Sequence, residues 1–161
     1  MYLEVGAKKV FACSLDWTGW CRSGKTEELA IEQLENYTDR YRKVAQRAAL
    51  TFRPGRVDVV EKVPGDATTD FGAPGAVPTA DTERRTAAQA KRDVALVQAS
   101  WDLFADVQAK SPAELIKGPR GGGRDRDKMA DHVAGAERSY ARKIGVRHRE
   151  FAFDDEAALA A

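Results

Sequence analysis

Glycine and basic residues are concentrated in residues 117–128, which read KGPRGGGRDRDK and are called the glycine–arginine segment below. The segment holds three consecutive glycines and five basic residues. Glycine tolerates positive φ, so backbone N–H groups here can turn toward a bound anion. The predicted helix that follows has unpaired N–H groups and a positive dipole end in its first turn. The segment therefore predicts an anion-binding loop, and a flexible helix cap is the alternative interpretation.

The side chains of this segment suit a phosphate or a carboxylate, because arginine binds such groups bidentately and lysine adds a point charge. The predicted anion ligands are Lys117, Arg120, Arg124, Arg126 and, from the following helix, Tyr140. The spacing matches neither a P-loop nor a dinucleotide fingerprint. The leading hypothesis is therefore a protein that binds a small anionic molecule. In the alternative interpretation, Asp125 and Asp127 pair with the arginines and cap the helix.

His132 follows one turn into that helix, beside a predicted buried face of Met129, Val133, Ala136, Tyr140 and Ile144. An imidazole titrates near neutral pH and can act as a general base. The second hypothesis is therefore an enzyme in which His132 is the general base and the arginines hold an anionic substrate. A structural histidine is the alternative.

Length, composition and charge limit the class of protein. The 161 residues suffice for one ordinary core, and the net charge of +1 gives no global attraction to nucleic acid, which we do not expect as a partner. No apolar run is long enough to span a bilayer, and the amino terminus lacks the layout of a secretory signal. We expect a cytoplasmic protein with no membrane partner, no cofactor and no metal site.

The two cysteines, Cys13 and Cys21, fit neither a CxxC redox pair nor a four-ligand zinc site. We interpret both as structural, with Cys13 as a buried small side chain. Cys21 lies beside Arg22 and Lys25, cations that lower the pKa of a neighbouring thiol.

The pattern of apolar residues predicts an α+β fold, in which a small antiparallel sheet of three or four strands packs with three long helices. The predicted strands are 1–4, 10–15 and 57–63, with 17–21 as a further short strand or its approach, and the predicted helices are about 27–50, 81–109 and 126–144. Thr26 is the expected N-cap of the first helix, and the sequence Arg53-Pro-Gly its end. The second helix is apolar on two faces, which predicts a central position.

We expect one compact domain over 1–161, with sub-units 1–63 and 83–145 joined by the loop 64–82. A loop of this length is usually functional or a linker. We interpret it as a linker, and a lid in which Phe71 fills a pocket is the alternative. Trp17 and Trp20 flank one turn and either close the sheet edge or clamp a flat ligand.

Residues 11–30, FACSLDWTGWCRSGKTEELA, resemble HicB-like antitoxin domains. In that family a strand leads into an Asp-x-x-Gly-Cys-like turn, and Gly-x-Thr-x-Glu-Glu-Ala then opens a helix. The matching residues are Asp16, Gly19, Cys21, Gly24, Thr26, Glu27, Glu28 and Ala30. The resemblance implies a small αβ unit. It adds a third hypothesis, an interaction or regulatory module that acts as a homodimer.

The second half, 83–145, resembles part of the DinB/YfiT-like helical superfamily. The resemblance rests on the long helix that contains Trp101 and on DHVAGAERSYARK, residues 131–143. It implies helix packing of the four-helix-bundle type. The superfamily often holds a divalent metal with three histidines, and this chain has only His132 and His148. We therefore expect no such metal site.

Overall fold

The computed structural model describes residues 1–118, 122–147, 149, 155 and 157. The chain divides into two compact units, Met1–Leu103 (the first unit) and Phe104–Ala161 (the second unit). The division lies inside a long helix. It does not lie at the loop 64–82, where the sequence had suggested a junction between sub-units.

A four-stranded mixed sheet forms the centre of the first unit. Its strands are β1 (Tyr2–Val5), β2 (Val10–Cys13), β3 (Cys21–Gly24) and β4 (Glu61–Pro64), in the order β3-β2-β1-β4. The neighbouring pairs are antiparallel except β1 and β4, which are parallel. The α+β class is confirmed, and the parallel pair is the one departure from a wholly antiparallel sheet. Two helices lie in the sequence between the paired strands, and parallel pairing requires such a crossover.

The predicted helix 27–50 is divided into α1 (Glu27–Asn36) and α2 (Thr38–Arg47). Tyr37 separates them with φ −95° and ψ 9°, and its N–H is shared between the carbonyls of Gln33 and Leu34 at 3.2 Å each. The N-cap prediction is confirmed, because the hydroxyl of Thr26 accepts a hydrogen bond from the N–H of Leu29 at 3.3 Å.

The end of the second of these helices was predicted too late. Ala49 already has a left-handed backbone, with φ 55°. The N–H of Leu50 turns back to the carbonyl of Ala45 at 2.8 Å, which closes the helix before the Arg53-Pro-Gly sequence.

The second predicted helix begins later than expected, as α4 (Ala87–Lys110), and a short 3-10 helix, Thr79–Thr82, precedes it. Thr86 and Gln89 cap its start reciprocally: Thr86 Oγ1 accepts from the N–H of Gln89, and Gln89 Oε1 accepts from the N–H of Thr86. The prediction of two buried faces is wrong. Leu96 and Ala99 are its buried residues, whereas Val94 and Val107 are exposed.

One face of the sheet carries the core of the first unit. Leu3 and Ala12 are paired across β1 and β2 and are fully buried. They belong to the same cluster as Ala30, Leu34 and Leu96. Alternation of side chains along a strand places the neighbouring residues on the other face.

The other face of the sheet is covered by residues 64–82. Glu4 is 0% exposed, and its carboxylate accepts hydrogen bonds from Thr69 Oγ1 at 2.5 Å and from the N–H groups of Gly75 and Ala76. Within this segment lies α3 (Ala67–Phe71), capped by Asp66. The segment is therefore packed within the first unit and does not link two units. Phe71 is 88% exposed, so it fills no pocket there.

The third predicted helix is α5 (Arg126–Lys143) of the second unit. Its buried residues are Ala130 and Ala134, which differ from the face that the sequence suggested. Tyr140 and Ile144, expected on the buried face, are exposed. Small alanine side chains face inward along this helix. The prediction of the buried face relied on the larger apolar residues and was therefore wrong.

Candidate functional site

Four aromatic rings of the first unit form one cluster. Trp17 and Trp20 come from the β2–β3 loop, Tyr41 from α2 and Phe52 from the segment after α2. Phe52 meets Trp17 edge-on at 4.8 Å and Trp20 edge-on at 5.2 Å between ring centroids, and Trp20 stacks on Tyr41 at 5.9 Å. Such pairs add stability beyond their buried area. The cluster therefore supports the β2–β3 loop, which carries Trp17 and Trp20.

Hydrogen bonds fix the polar ends of these rings. The indole N–H of Trp20 donates to the carbonyl of Leu34 at 3.1 Å, and the hydroxyl of Tyr41 donates to the carbonyl of Thr18 at 2.8 Å. Burial raises the pKa of Tyr41 to about 12, so the phenol is neutral at physiological pH.

The β2–β3 loop is also held by its own backbone. The hydroxyl of Ser14 accepts from the N–H of Trp17 at 3.1 Å, and the N–H of Trp20 donates to the carbonyl of Trp17 at 2.9 Å. Gly19 has φ 85°, a left-handed value that glycine adopts without strain. The turn therefore presents both tryptophans in a defined position.

A cleft of about 390 Å³ lies against this cluster, and it is called the aromatic cleft below. One wall comes from the β2–β3 loop and includes Ser14, Asp16, Trp17 and Trp20, and a second wall is the segment 53–58. Trp17 is half-buried and Trp20 is buried. The cleft thus has an aromatic wall and an arginine-bearing wall.

Arg53 and Arg56 give the second wall its cations. Arg56 pairs with Asp58 at 3.1 Å, whereas Arg53 is exposed and has no ion pair in the part of the chain that the structure describes. Asp16, on the first wall, is an exposed carboxylate. Arg53 is therefore a guanidinium available to a ligand at the cleft.

The cleft lies at the end of a strongly basic stretch. Residues 40–57 contain no acidic residue, and their basic residues are Arg40, Arg42, Lys43, Arg47, Arg53 and Arg56. The guanidinium of Arg42 lies 5.6 Å from the ring centroid of Phe52, and that of Arg92 lies 4.1 Å from that of Trp17. Arg42 is paired with Asp39 and Arg47 with Asp102, each at 3.4 Å. Asp16 and Asp58 also line the cleft, so the guanidinium that it offers to an anionic ligand is that of Arg53.

In the glycine–arginine segment, several of the predicted ligands are already used by neighbours. Lys117 pairs with Asp125, whose carboxylate also accepts from the N–H of Leu115 at 3.3 Å. These contacts, that with Lys117 first, lower the pKa of Asp125. Arg126 binds Asp127 at 2.7 Å and donates to the carbonyl of Ser111. Asp127 thus pairs with an arginine as in the alternative interpretation, whereas Asp125 pairs with Lys117 and occupies the N-cap position of α5 without a side-chain cap hydrogen bond.

The segment holds two further predicted ligands. Arg124 is exposed, and Arg120 lies outside the described residues. The N–H of Gly118 donates to the carbonyl of Gly122 at 2.7 Å, so this backbone donor is turned to the segment itself and not to a ligand.

His132 and Tyr140 are both exposed on α5. No hydrogen bond or ion pair to His132 occurs among the residues that the structure describes, and Tyr140 lies beside the ammonium of Lys143, 5.5 Å from its ring centroid. A general base is usually oriented by a partner, and His132 has none in the described region.

Within the described ranges, no three or more histidine, cysteine or acidic side chains lie close enough to hold a metal ion. None of the described helices combines the length and apolarity needed to cross a bilayer.

Comparison with family models, curated proteins and solved structures gives no significant match to this chain. The resemblances to HicB-like domains and to the DinB/YfiT-like superfamily therefore stay predictions.

Sequence reasoning missed Arg53 and Arg56, because Arg53-Pro-Gly was interpreted only as the end of a helix. Arg22, a cation close to Trp20 in the sequence, has its guanidinium over the ring of Tyr37 at 4.0 Å. The absence of acidic residues from 40–57 is the sequence signal that could have pointed to Arg53 and Arg56.

Proposed function

We propose that the first unit binds a small anionic molecule that carries a flat ring, and that it binds this molecule in the aromatic cleft. The observation that supports the proposal most strongly is the position of Arg53, an exposed guanidinium in the lining of the same cleft as Trp17 and Trp20. A planar guanidinium binds carboxylate or phosphate bidentately, while indole and aliphatic surface accept an apolar ring.

The size and rigidity of the cleft agree with this ligand class. Its volume of about 390 Å³ lies within the range usual for small-molecule sites. The aromatic cluster and the bonds within the β2–β3 loop hold one wall in place before a ligand arrives. Such preorganisation reduces the entropy lost on binding.

The proposed ligand is an anion, as the sequence predicted, but the proposed site is the aromatic cleft and not the glycine–arginine segment. In the glycine–arginine segment, Lys117 and Arg126 already bind carboxylates, and an incoming anion must compete with them. At the aromatic cleft, Arg53 needs no such exchange. The general-base alternative with His132, the HicB-like regulatory alternative, the homodimer and the cytoplasmic location stay predictions.

Isothermal titration calorimetry with aromatic anions tests the proposal. The probes are nucleoside monophosphates and aryl carboxylates, with inorganic phosphate as the control that lacks a ring. We expect at least one aromatic anion to bind more tightly than phosphate. The variant Arg53→Gln should weaken that binding about tenfold, the loss typical of one charge-assisted hydrogen-bonded pair.

Arg124→Gln is the matched control, because it removes an exposed arginine from the glycine–arginine segment. We expect it to leave the affinity unchanged. The proposal is wrong if no aromatic anion binds, or if Arg124→Gln weakens binding while Arg53→Gln does not.

A further inference from the structure

The two cysteines, eight residues apart in the chain, face each other across β2 and β3. Cys13 and Cys21 are direct partners in the antiparallel register, and their Sγ atoms lie 3.0 Å apart. Both are free thiols, Cys13 buried at 5% exposure and Cys21 half-buried on the edge strand. The interpretation of both cysteines as structural did not include this pairing.

Their position in the strand ladder suits a covalent bond. The N–H of Ser14 donates to the carbonyl of Trp20 at 3.0 Å, which makes that pair a hydrogen-bonded one. Because hydrogen-bonded and non-hydrogen-bonded pairs alternate, Cys13 and Cys21 occupy the close, non-hydrogen-bonded position. Their Cα atoms are then about 4.5 Å apart, within the range that a disulfide spans.

The surroundings favour one thiolate in the pair. The hydrogen bond from Cys21 lowers the pKa of the Cys13 thiol, and a bond from the hydroxyl of Tyr2 adds to this effect. The same bond with Cys13, together with burial, raises the pKa of Cys21. The expectation that Arg22 and Lys25 lower the pKa of Cys21 is therefore wrong, since the neighbouring sulfur has the larger effect.

We propose that Cys13 and Cys21 are a redox-active dithiol that closes to a cross-strand disulfide on reaction with hydrogen peroxide. The Cys13 thiolate attacks one peroxide oxygen, the O–O bond breaks, and hydroxide leaves while Cys13 becomes a sulfenic acid. Cys21 then attacks that sulfur, the S–S bond forms, and the S–O bond breaks. The hydroxyl group of the sulfenic acid takes the thiol proton of Cys21 and leaves as a water molecule. The two sulfurs lose two electrons, and the peroxide is reduced to two waters.

The dithiol is independent of the ligand proposed for the aromatic cleft. Its two cysteines lie at the two ends of the loop between β2 and β3, and this loop carries Trp17 and Trp20. A disulfide would therefore tie the ends of the loop that forms one wall of the cleft. A dithiol reductant returns two electrons and reopens it.

Peptide mapping of the full chain tests the proposal. The folded protein is treated with equimolar hydrogen peroxide, alkylated with iodoacetamide and digested with trypsin. Both cysteines lie in the single tryptic peptide 10–22, which has no internal lysine or arginine. We expect this peptide to resist alkylation and to lose the mass of two hydrogen atoms. Dithiothreitol should restore two alkylation sites.

The same chain in urea is the control for simple proximity in the sequence. We expect the disulfide to form about tenfold faster in the folded chain, because the strands hold the sulfurs together. In Cys21→Ser, Cys13 should take up oxygen instead. Equal rates in the folded and unfolded chain overturn the proposal, as does oxygen addition to the wild-type peptide, a peptide that stays fully alkylable, or a disulfide between two chains.

Discussion

The aromatic cleft and the glycine–arginine segment both carry arginines, but they differ in what surrounds these side chains. In the glycine–arginine segment, Lys117 and Arg126 bind Asp125 and Asp127 of the same segment. In the aromatic cleft, Arg53 lines the same open volume as Trp17 and Trp20. The number of basic residues therefore does not identify a site. A concave surface with an available charge does, because it gives a ligand contacts that the protein does not already satisfy.

The largest difference between the two regions should appear in stability. Trp20 is 5% exposed and packs in the aromatic cluster, so Trp20→Ala should lower the free energy of unfolding by about 4 kcal/mol. Gly122 has open space around its Cα, and Gly122→Ala should change the same quantity by less than about 0.5 kcal/mol. Urea unfolding measures the free energy for both variants. A loss for Trp20→Ala as small as that for Gly122→Ala would show that the cluster is not a structural support.

Oxidation should sharpen this contrast further. A disulfide between Cys13 and Cys21 closes a short loop and should raise the free energy of unfolding of the first unit by about 2 kcal/mol. The measurement compares urea unfolding of the peroxide-treated and dithiothreitol-treated protein, with Cys21→Ser as the control. A loss of stability on disulfide formation would mean that the strands must distort to accept the bond.

Removal of a competing carboxylate should affect only the cleft. Asp58→Asn frees Arg56, so the affinity for an aromatic anion should rise about threefold, the scale of an exposed ion pair. Asp127→Asn frees Arg126 in the glycine–arginine segment and should leave the affinity unchanged. Calorimetric titration separates the two variants. The opposite pattern would transfer the site to the glycine–arginine segment.

The two regions should also respond to opposite ends of the pH scale. Burial raises the pKa of Tyr41 to about 12, so its contribution to stability is complete below about pH 10 and is lost as the pH rises toward 12. Hydrogen bonding lowers the pKa of Asp125, so its smaller contribution is present at neutral pH and is lost in acid. Urea midpoints measured against pH check both limbs. A wild-type alkaline loss that Tyr41→Phe does not reduce would exclude Tyr41 as its source.

Much of the fold could be predicted from local signals. Strand-forming residues identified β1 and β2, and Thr26 followed by Glu27 and Glu28 identified the start of α1. Errors arose where long-range contacts decide the outcome. Nothing near Glu4 in the sequence shows that its carboxylate accepts hydrogen bonds from Thr69, Gly75 and Ala76, so the segment 64–82 looked like a linker.

The site was harder to predict than the fold for the same reason. Trp17 and Trp20 are more than thirty residues away from Arg53, and only folding brings them to one cleft. The glycine–arginine segment attracted attention because its residues are adjacent in the sequence. Adjacency also gave Lys117 and Arg126 nearby carboxylates, which the sequence could show only as an alternative.

The position of a bound aromatic anion is the most direct test of the account. Nuclear magnetic resonance of the full chain would follow the indole N–H signals of Trp17 and Trp101 and the backbone amides of Gly122 and Gly123 during titration with a nucleoside monophosphate or an aryl carboxylate. We expect saturable shifts of the Trp17 signal and none at the glycine amides. Saturable shifts of the glycine amides with an unchanged Trp17 signal would contradict it.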